Sequence, residues 1–164
     1  MRLLIIRHAA AVPSGTPGIA DDNRPLTPEG KAKFRVAAQG LARIADRPDV
    51  LLTSPLPRAR ATADIAARAF KRVEPRVEPA LAHGGVDAIL AALGQQPREA
   101  MVAIVGHEPV LGALLARLLG AGDGGQFPFK KGGAALVDLP EGPAGEARLI
   151  WFLKPRVLRA LAAD

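Results

Sequence analysis

Leu3-Leu4-Ile5-Ile6-Arg7-His8 is a continuous apolar run that ends in a cation and an imidazole. A run of leucine and β-branched residues is typical of a parallel strand that is buried on both faces. We therefore predict a strand over Arg2–Arg7. An open α/β sheet binds its ligand in the crevice at the carboxyl ends of its strands. Arg7 is the last residue of the predicted strand and His8 follows it, so both lie at that end.

Two further apolar stretches predict strands with polar endings. Val50–Thr53 is followed by Ser54-Pro55-Leu56-Pro57-Arg58, and Met101–Val105 is followed by Gly106-His107. Helical patterns cover the segments Pro28–Ile44 (with Thr27 as N-cap), Arg58–Phe70, Val86–Leu93, Pro109–Leu119 and Pro155–Ala163. Further strands are predicted at Arg76–Glu78, Ala134–Leu139 and Ala147–Phe152.

The alternation of strands and helices predicts an α/β fold. We expect a single three-layer domain over residues 1–164, with helices on both faces of a mainly parallel central sheet. The last two strands would form a C-terminal antiparallel edge.

Composition narrows the class of partner. The chain has a net charge of +6 and no cysteine, so disulfides and thiolate metal sites are excluded. Such a basic chain fits a nucleic-acid binder or an enzyme for phosphorylated substrates. The basic residues are scattered, and five Phe, one Trp and no Tyr offer little base stacking, so we expect no nucleic acid as partner. No apolar run is long enough to span a membrane, and we expect a cytoplasmic protein without a membrane partner.

Two arginines and two histidines follow the three strongest strands. Because the carboxyl ends of parallel strands meet at one edge, we expect Arg7, His8, Arg58 and His107 to converge. Guanidinium groups match phosphate oxygens, and an imidazole is a possible nucleophile. We expect no metal, because the chain has three histidines and His107-Glu108-Pro109 lacks the second histidine of a His-Glu-x-x-His site.

These motifs resemble the histidine phosphatase superfamily, the phosphoglycerate mutase-like group. The family's Arg-His-Gly is matched by Arg7-His8-Ala9, and its Ser-Pro-Leu-x-Arg-Ala-x-x-Thr-Ala by residues 54–63. Its strand followed by Gly-His is matched by Val105-Gly106-His107, and its segment before the first helix by residues 24–30. The short length is most similar to small bacterial phosphohistidine phosphatases.

The resemblance implies a role for each matching residue. His8 would be the nucleophile that accepts the phosphoryl group, and Arg7, Arg58 and His107 would bind the phosphoryl oxygens and stabilise the transition state. Arg24 would add a substrate contact at the rim. The resemblance implies no metal or cofactor. We further expect Arg7 and Arg58 to keep His8 neutral by repelling a positive imidazolium.

The sequence departs from the family's pattern in two places. Ala9 replaces the usual glycine, which is tolerated unless the backbone there needs a positive φ. The region of residues 79–87 also lacks the glutamate acid of many relatives, and whether His83 or Asp87 donates a proton instead stays open. An alkoxide leaving group needs such an acid, whereas a phosphorylated imidazole protonated on its other nitrogen leaves as a neutral molecule.

The sequence therefore predicts a metal-independent phosphatase that works through phospho-His8 on phosphohistidine in a protein. Two alternatives stay open, a general small-molecule phosphomonoesterase and a catalytically silent module that binds a phosphorylated ligand. We expect the segments Ala9–Arg24 and Gly120–Lys131 to form two walls of the site.

Overall fold

The centre of the computed structural model, which describes residues 1–163, is a six-stranded sheet. Its strands are β1 (Arg2–Arg7), β2 (Val50–Thr53), β3 (Pro75–Val77), β4 (Met101–Gly106), β5 (Ala134–Asp138) and β6 (Arg148–Leu153). They lie in the order β3-β2-β4-β1-β5-β6. The four strands from β3 to β1 are parallel, and β5 and β6 pair antiparallel. The predicted mainly parallel sheet with a C-terminal antiparallel edge is confirmed.

Helices cover both faces of this sheet. They are α1 (Pro28–Ile44), α2 (Pro57–Ala69), α3 (Ala80–His83), α4 (Gly85–Gly94), α5 (Val110–Leu118) and α6 (Pro155–Leu161). Helices α1, α2 and α6 share one apolar core with the sheet, and α3, α4 and α5 share a second core on the other side. This arrangement confirms the predicted three layers. Within residues 1–163, no helix is long and apolar enough to cross a membrane.

Strand β1 is buried on both faces, as its sequence predicts. Leu4 and Ile6 point into the core of α1, α2 and α6, and Leu3 and Ile5 point into the opposite core. The side chains of a strand alternate between faces, so a continuous apolar run fills two cores at once. β1 therefore lies between β4 and β5 in the middle of the sheet.

Local signals placed most boundaries to within one or two residues. The hydroxyl of Thr27 accepts a hydrogen bond from the Gly30 N–H at 2.9 Å, so α1 begins with the predicted cap. The predicted strand at Arg76–Glu78 lies one residue earlier, at Pro75–Val77. Helix α3 was not predicted, because four residues are too few for a helical periodicity.

Candidate functional site

The carboxyl ends of β1, β2 and β4 bring the two predicted histidines together. The His8 N–H donates to the Gly106 carbonyl at 3.0 Å, and the Ser54 N–H donates to the Val105 carbonyl at 3.0 Å. These bonds continue the parallel pairing one residue past each strand. The rings of His8 and His107 consequently lie with their centroids 5.1 Å apart.

The His8 ring is held in one orientation by its neighbour. Its side chain is buried, since the residue is only 4% exposed, and its Nδ1 lies 2.7 Å from the Ala9 carbonyl oxygen. A carbonyl oxygen only accepts hydrogen bonds, so Nδ1 must carry the proton. In the neutral ring this leaves the lone pair on Nε2, which is the atom available for nucleophilic attack.

Burial is the main reason that His8 is neutral. The pKa of His8 falls from its usual 6.5 to about 3, and desolvation is the largest cause. The hydrogen bond to Ala9 opposes this shift, while His107, Arg58 and Arg7 add smaller repulsions. The expected effect of the two arginines therefore has the right direction, but loss of solvent outweighs it.

Arg7 is anchored by the segment that precedes β5. Its Nη1 donates to the Phe129 carbonyl at 2.7 Å, and its main-chain N–H donates to the Gly133 carbonyl at 3.1 Å. Burial lowers the pKa of Arg7, and the nearby Glu108 carboxylate raises it. Phe129 belongs to the expected second wall, Gly120–Lys131, and so this part of the wall contacts the site.

Arg58 lies in the first turn of α2 and is 6% exposed. Its Nη1 donates to the Asp21 carbonyl at 3.0 Å, which attaches the expected first wall, Ala9–Arg24, to the site. The Thr62 hydroxyl donates to the Arg58 carbonyl at 2.7 Å and accepts from the Ala9 N–H at 3.0 Å. Helix α2 and the turn after His8 are thus fixed relative to each other.

His107 is hydrogen-bonded to Ser54, the residue directly after β2. Its Nε2 lies 2.7 Å from the Ser54 hydroxyl oxygen, and both residues are buried. The same oxygen accepts from the Leu56 N–H at 3.2 Å, and the hydroxyl can donate its own proton to His107 Nε2. Burial, followed by repulsion from Arg58, lowers the pKa of His107 to about 4. A neutral His107 that accepts from Ser54 at Nε2 carries its own proton on Nδ1.

Unpaired buried nitrogens mark the same residues. Within residues 1–163, the buried side-chain nitrogen and oxygen atoms without a hydrogen-bond partner are Arg7 Nε, Arg58 Nε and His107 Nδ1. A buried donor without an acceptor costs about 1–3 kcal/mol, so each such atom calls for an explanation. All three belong to residues that act electrostatically on His8, and nitrogen donors of this kind match an anion with several oxygens.

Arg24 lies at the rim, with a side chain that is 13% exposed. It pairs with the Asp21 carboxylate at 2.9 Å and donates to the Val12 carbonyl at 2.9 Å. Because the Asp21 carbonyl holds Arg58, Arg24 supports the first wall of the site. Burial lowers the pKa of Arg58, and repulsion from Arg24 lowers it further.

The two candidate proton donors have different surroundings. His83 is 71% exposed and pairs with Asp22 at 3.2 Å, and both residues act electrostatically on His107. Asp87 is 88% exposed and pairs with Arg117 of α5 at 3.3 Å. His83 therefore lies on the rim of the site, whereas the described contacts of Asp87 lie elsewhere.

Ala9 adopts a backbone that does not require glycine. Within residues 1–163, the non-glycine residues with positive φ are Lys71 and Arg72. The Ala9 methyl is buried in the core of α1 and α2. Replacement of the family's glycine leaves the turn after His8 intact.

Sequence reasoning missed the residues that support the site. Ser54 and Thr62 lie inside the Ser-Pro-Leu-x-Arg-Ala-x-x-Thr-Ala motif, but the motif does not show which groups their side chains contact. Phe129 acts through its main-chain carbonyl, which every residue type has, so the residue type at this position does not reveal the contact with Arg7. Among residues 1–163 there is no group of three or more His, Cys, Asp or Glu side chains that could hold a metal ion.

Comparisons with known proteins identify the family of this chain. Residues 3–85 match the sequence model of the histidine phosphatase superfamily (branch 1). An uncharacterized protein of Picosynechococcus sp. is 34% identical over 147 residues, which are 88% of this chain and 87% of that protein.

Solved structures are similar over almost the whole chain. The protein histidine phosphatase SixA complexed with tungstate is 28% identical, with a TM-score of 0.84 over 96% of this chain and 99% of that one. A SixA protein from Nakamurella multipartitia, assigned as a phosphohistidine phosphatase, is 30% identical, with a TM-score of 0.77 over 94% and 95% of the two chains.

Proposed function

Because this chain belongs to the histidine phosphatase superfamily and is a phosphatase of that family, we propose that it works through a phospho-His8 intermediate on phosphohistidine in a protein. The observation that carries the proposal is the set of unpaired buried nitrogens on Arg7, Arg58 and His107 beside a neutral His8. They are donors for the phosphoryl oxygens, and His8 Nε2 is the nucleophile. The reaction needs no metal.

The first step transfers the phosphoryl group to His8. The Nε2 lone pair attacks phosphorus, and the P–N bond of the substrate breaks with its electron pair going to the substrate's nitrogen. The substrate imidazole holds a proton on its other nitrogen, so it leaves as a neutral ring. Phospho-His8 keeps its own proton on Nδ1, and the hydrogen bond to the Ala9 carbonyl stabilises the positive charge on that ring.

The second step returns the enzyme to its resting state. Water attacks phosphorus, the bond to His8 Nε2 breaks, and both protons of the water stay on the released phosphate. Phosphoryl transfer depends chiefly on positioning and on charge stabilisation, which fixed donors such as Arg7 and Arg58 supply.

The preference for an N–P bond rests on the surroundings of His8. Among the described residues, the charged groups that shift the pKa of His8 are His107, Arg58 and Arg7, and none is a carboxylate. The carboxylates around the site are engaged elsewhere, Glu108 with the Gly112 N–H and Asp22 with His83, so a leaving group that departs as a neutral imidazole is favoured over an alkoxide. The two SixA structures match this chain over almost its whole length, with TM-scores of 0.84 and 0.77.

One observation favours a small-molecule phosphomonoesterase as a second candidate. His83 lies on the rim, acts electrostatically on His107 and is held by Asp22. An imidazole in this position could protonate an alkoxide leaving group. A catalytically silent module that binds a phosphorylated ligand is the third candidate function.

Trapping the phosphoenzyme tests the proposal. Wild-type protein incubated with radiolabelled phosphohistidine should carry label that survives alkali and is lost in acid, and peptide mapping should find it on His8. His8→Ala should carry none, while the matched control His83→Ala, which removes an exposed histidine, should still be labelled. Absence of label on wild-type protein with intact phosphate binding would instead support the binding module.

Substrate choice is tested by comparing kcat/KM for a phosphohistidine protein and for a sugar phosphate. We expect the phosphohistidine protein to be the better substrate. Equal or faster turnover of the sugar phosphate would overturn the substrate assignment and favour the phosphomonoesterase.

A further inference from the structure

Glu108, the residue directly after His107, has a half-buried carboxylate that faces the protein interior. Its Oε1 accepts from the Gly112 N–H in the first turn of α5 at 2.7 Å. The Phe129 main-chain N–H and the Arg7 guanidinium also lie close enough to this carboxylate to lower its pKa. The Glu108 side chain therefore links α5, the segment before β5 and a phosphate-binding arginine.

Phe129 is the residue through which this link reaches Arg7. Its N–H faces Glu108, and its carbonyl accepts from Arg7 Nη1 at 2.7 Å. Its ring is 1% exposed and packs on Phe152 of β6, with ring centroids 4.6 Å apart. The N–H of this buried residue thus lies beside Glu108, and its carbonyl is bonded to Arg7.

Close packing leaves the carboxylate little freedom to move. A Cβ added at Gly112 would lie 3.1 Å from Glu108 Oε2, 2.8 Å from the Gly124 carbonyl oxygen and 2.9 Å from that of Phe127. Helix α5, the carboxylate and residues 124–127 are therefore in contact without space for a side chain. A change at Glu108 would have to be absorbed by the segment that carries Phe129.

We propose that Glu108 is a positioning residue for phosphate binding, which fixes Phe129 so that the Phe129 carbonyl holds the Arg7 guanidinium towards the phosphoryl group. The inference rests on the proposed function, in which Arg7 binds phosphoryl oxygens. Glu108 itself does not touch the substrate. Burial raises the pKa of Glu108, and its bond to Gly112, the charge of Arg7 and the nearby Phe129 N–H oppose that shift.

Binding of inorganic phosphate, measured by titration calorimetry, is the direct test. A hydrogen bond to a charged group contributes about 1.5–3 kcal/mol, so we expect Glu108→Ala to weaken phosphate binding about tenfold or more. Glu108→Gln keeps the shape of the side chain and an acceptor oxygen, and we expect a smaller loss from it. If Glu108→Ala does not fold, the phosphate affinity of Glu108→Gln is the measurement that tests the inference.

Asp123→Ala is the matched control. The Asp123 carboxylate accepts from the Gly125 N–H at 2.8 Å and so also caps the segment before β5, but it is exposed and this hydrogen bond stays within its own turn. We expect phosphate affinity within about twofold of wild type for this variant, because a change below about 0.4 kcal/mol is less than a typical hydrogen bond. An equal loss from Asp123→Ala and Glu108→Ala would indicate general loosening of the segment and overturn the inference.

A double-mutant cycle with Arg7→Ala separates positioning from a merely structural role. If Glu108 acts through Arg7, Glu108→Ala should cost no further phosphate affinity in the Arg7→Ala background. A full additional loss would overturn the role of Glu108 and leave the proposed function standing. If Arg7→Ala itself left phosphate binding unchanged, Arg7 would not bind phosphate. That result would overturn the proposed function, whatever the role of Glu108.

Discussion

The hydroxyl oxygen of Ser54 lies 2.7 Å from Nε2 of His107, inside the protein. The two residues directly follow adjacent strands, β2 and β4, so the sheet itself sets their distance. Since Nε2 is occupied by this bond, Nδ1 is the nitrogen of His107 that is free for a phosphoryl oxygen. Ser54 thus selects which side of the imidazole faces the substrate.

Ser54→Ala should therefore impair both activity and stability. The substitution leaves His107 Nε2 and the Leu56 N–H without their partner, which costs about 1–3 kcal/mol of unfolding free energy. A loss of about 1.4 kcal/mol of transition-state stabilisation is tenfold in rate, so we expect kcat/KM to fall about tenfold. Urea unfolding and steady-state kinetics measure the two effects. Thr16→Ala, which removes a hydroxyl that donates to the Pro13 carbonyl within an exposed turn, should change neither, and normal activity of Ser54→Ala would contradict the assigned tautomer.

Stability should decrease on acidification below about pH 6.5. An unfolded histidine has a pKa of about 6.5, whereas folded His8 and His107 have pKa values of about 3 and about 4. Below pH 6.5 the unfolded chain takes up protons that the folded chain does not, so the unfolding free energy falls as the pH drops towards the folded pKa values. Each histidine contributes at most about 1.4 kcal/mol per pH unit.

Urea unfolding between about pH 7 and pH 5 tests this linkage above the range in which most carboxylates titrate. His8→Asn and His107→Asn should each reduce the pH dependence of the unfolding free energy. His83→Ala, which removes the exposed third histidine, should keep it. An unchanged slope in both buried-site variants would show that these two histidines are not held neutral by the fold.

The sequence predicted the part of the site that side-chain type determines. The apolar run before Arg7 predicted a central strand. The polar residues at the carboxyl ends of three strands predicted that four side chains lie close together, namely those of Arg7, His8, Arg58 and His107. The supporting bonds could not be predicted, because they depend on which elements become neighbours. Phe129 holds Arg7 through a carbonyl 122 residues away in sequence. The contact between Ser54 and His107 follows only once β2 is known to pair with β4.

Gly40 should be intolerant of any side chain. An added Cβ would lie 1.8 Å from the Leu158 carbonyl oxygen, a backbone atom of α6 that is fixed against α1. We expect Gly40→Ala to cost at least about 2 kcal/mol of unfolding free energy, because α6 must shift. Gly94→Ala is the matched control, since it is the last residue of α4 and has nothing within 4 Å of an added Cβ. That variant should be unchanged or stabilised by up to about 1 kcal/mol, and equal destabilisation of both would contradict the packing argument.

His83 should matter for an alkoxide leaving group and not for an imidazole. His83 lies at the rim beside Asp22 and acts on His107, so its removal takes away the imidazole best placed to protonate a departing oxygen. A general acid contributes about 10²–10⁴ in rate, and we expect His83→Ala to lower sugar phosphate turnover by at least about tenfold. Turnover of a phosphohistidine protein should stay within about twofold, because that leaving group already carries its proton.

Asp87→Ala is the control for this comparison, because Asp87 pairs with Arg117 outside the site. It should leave the kcat/KM of both substrates unchanged. If His83→Ala lowered both activities equally, His83 would be needed whatever the leaving group, and the chemical reason for preferring an N–P bond would be lost. If neither activity changed, His83 would not be a proton donor, and the phosphomonoesterase would lose the observation that favours it.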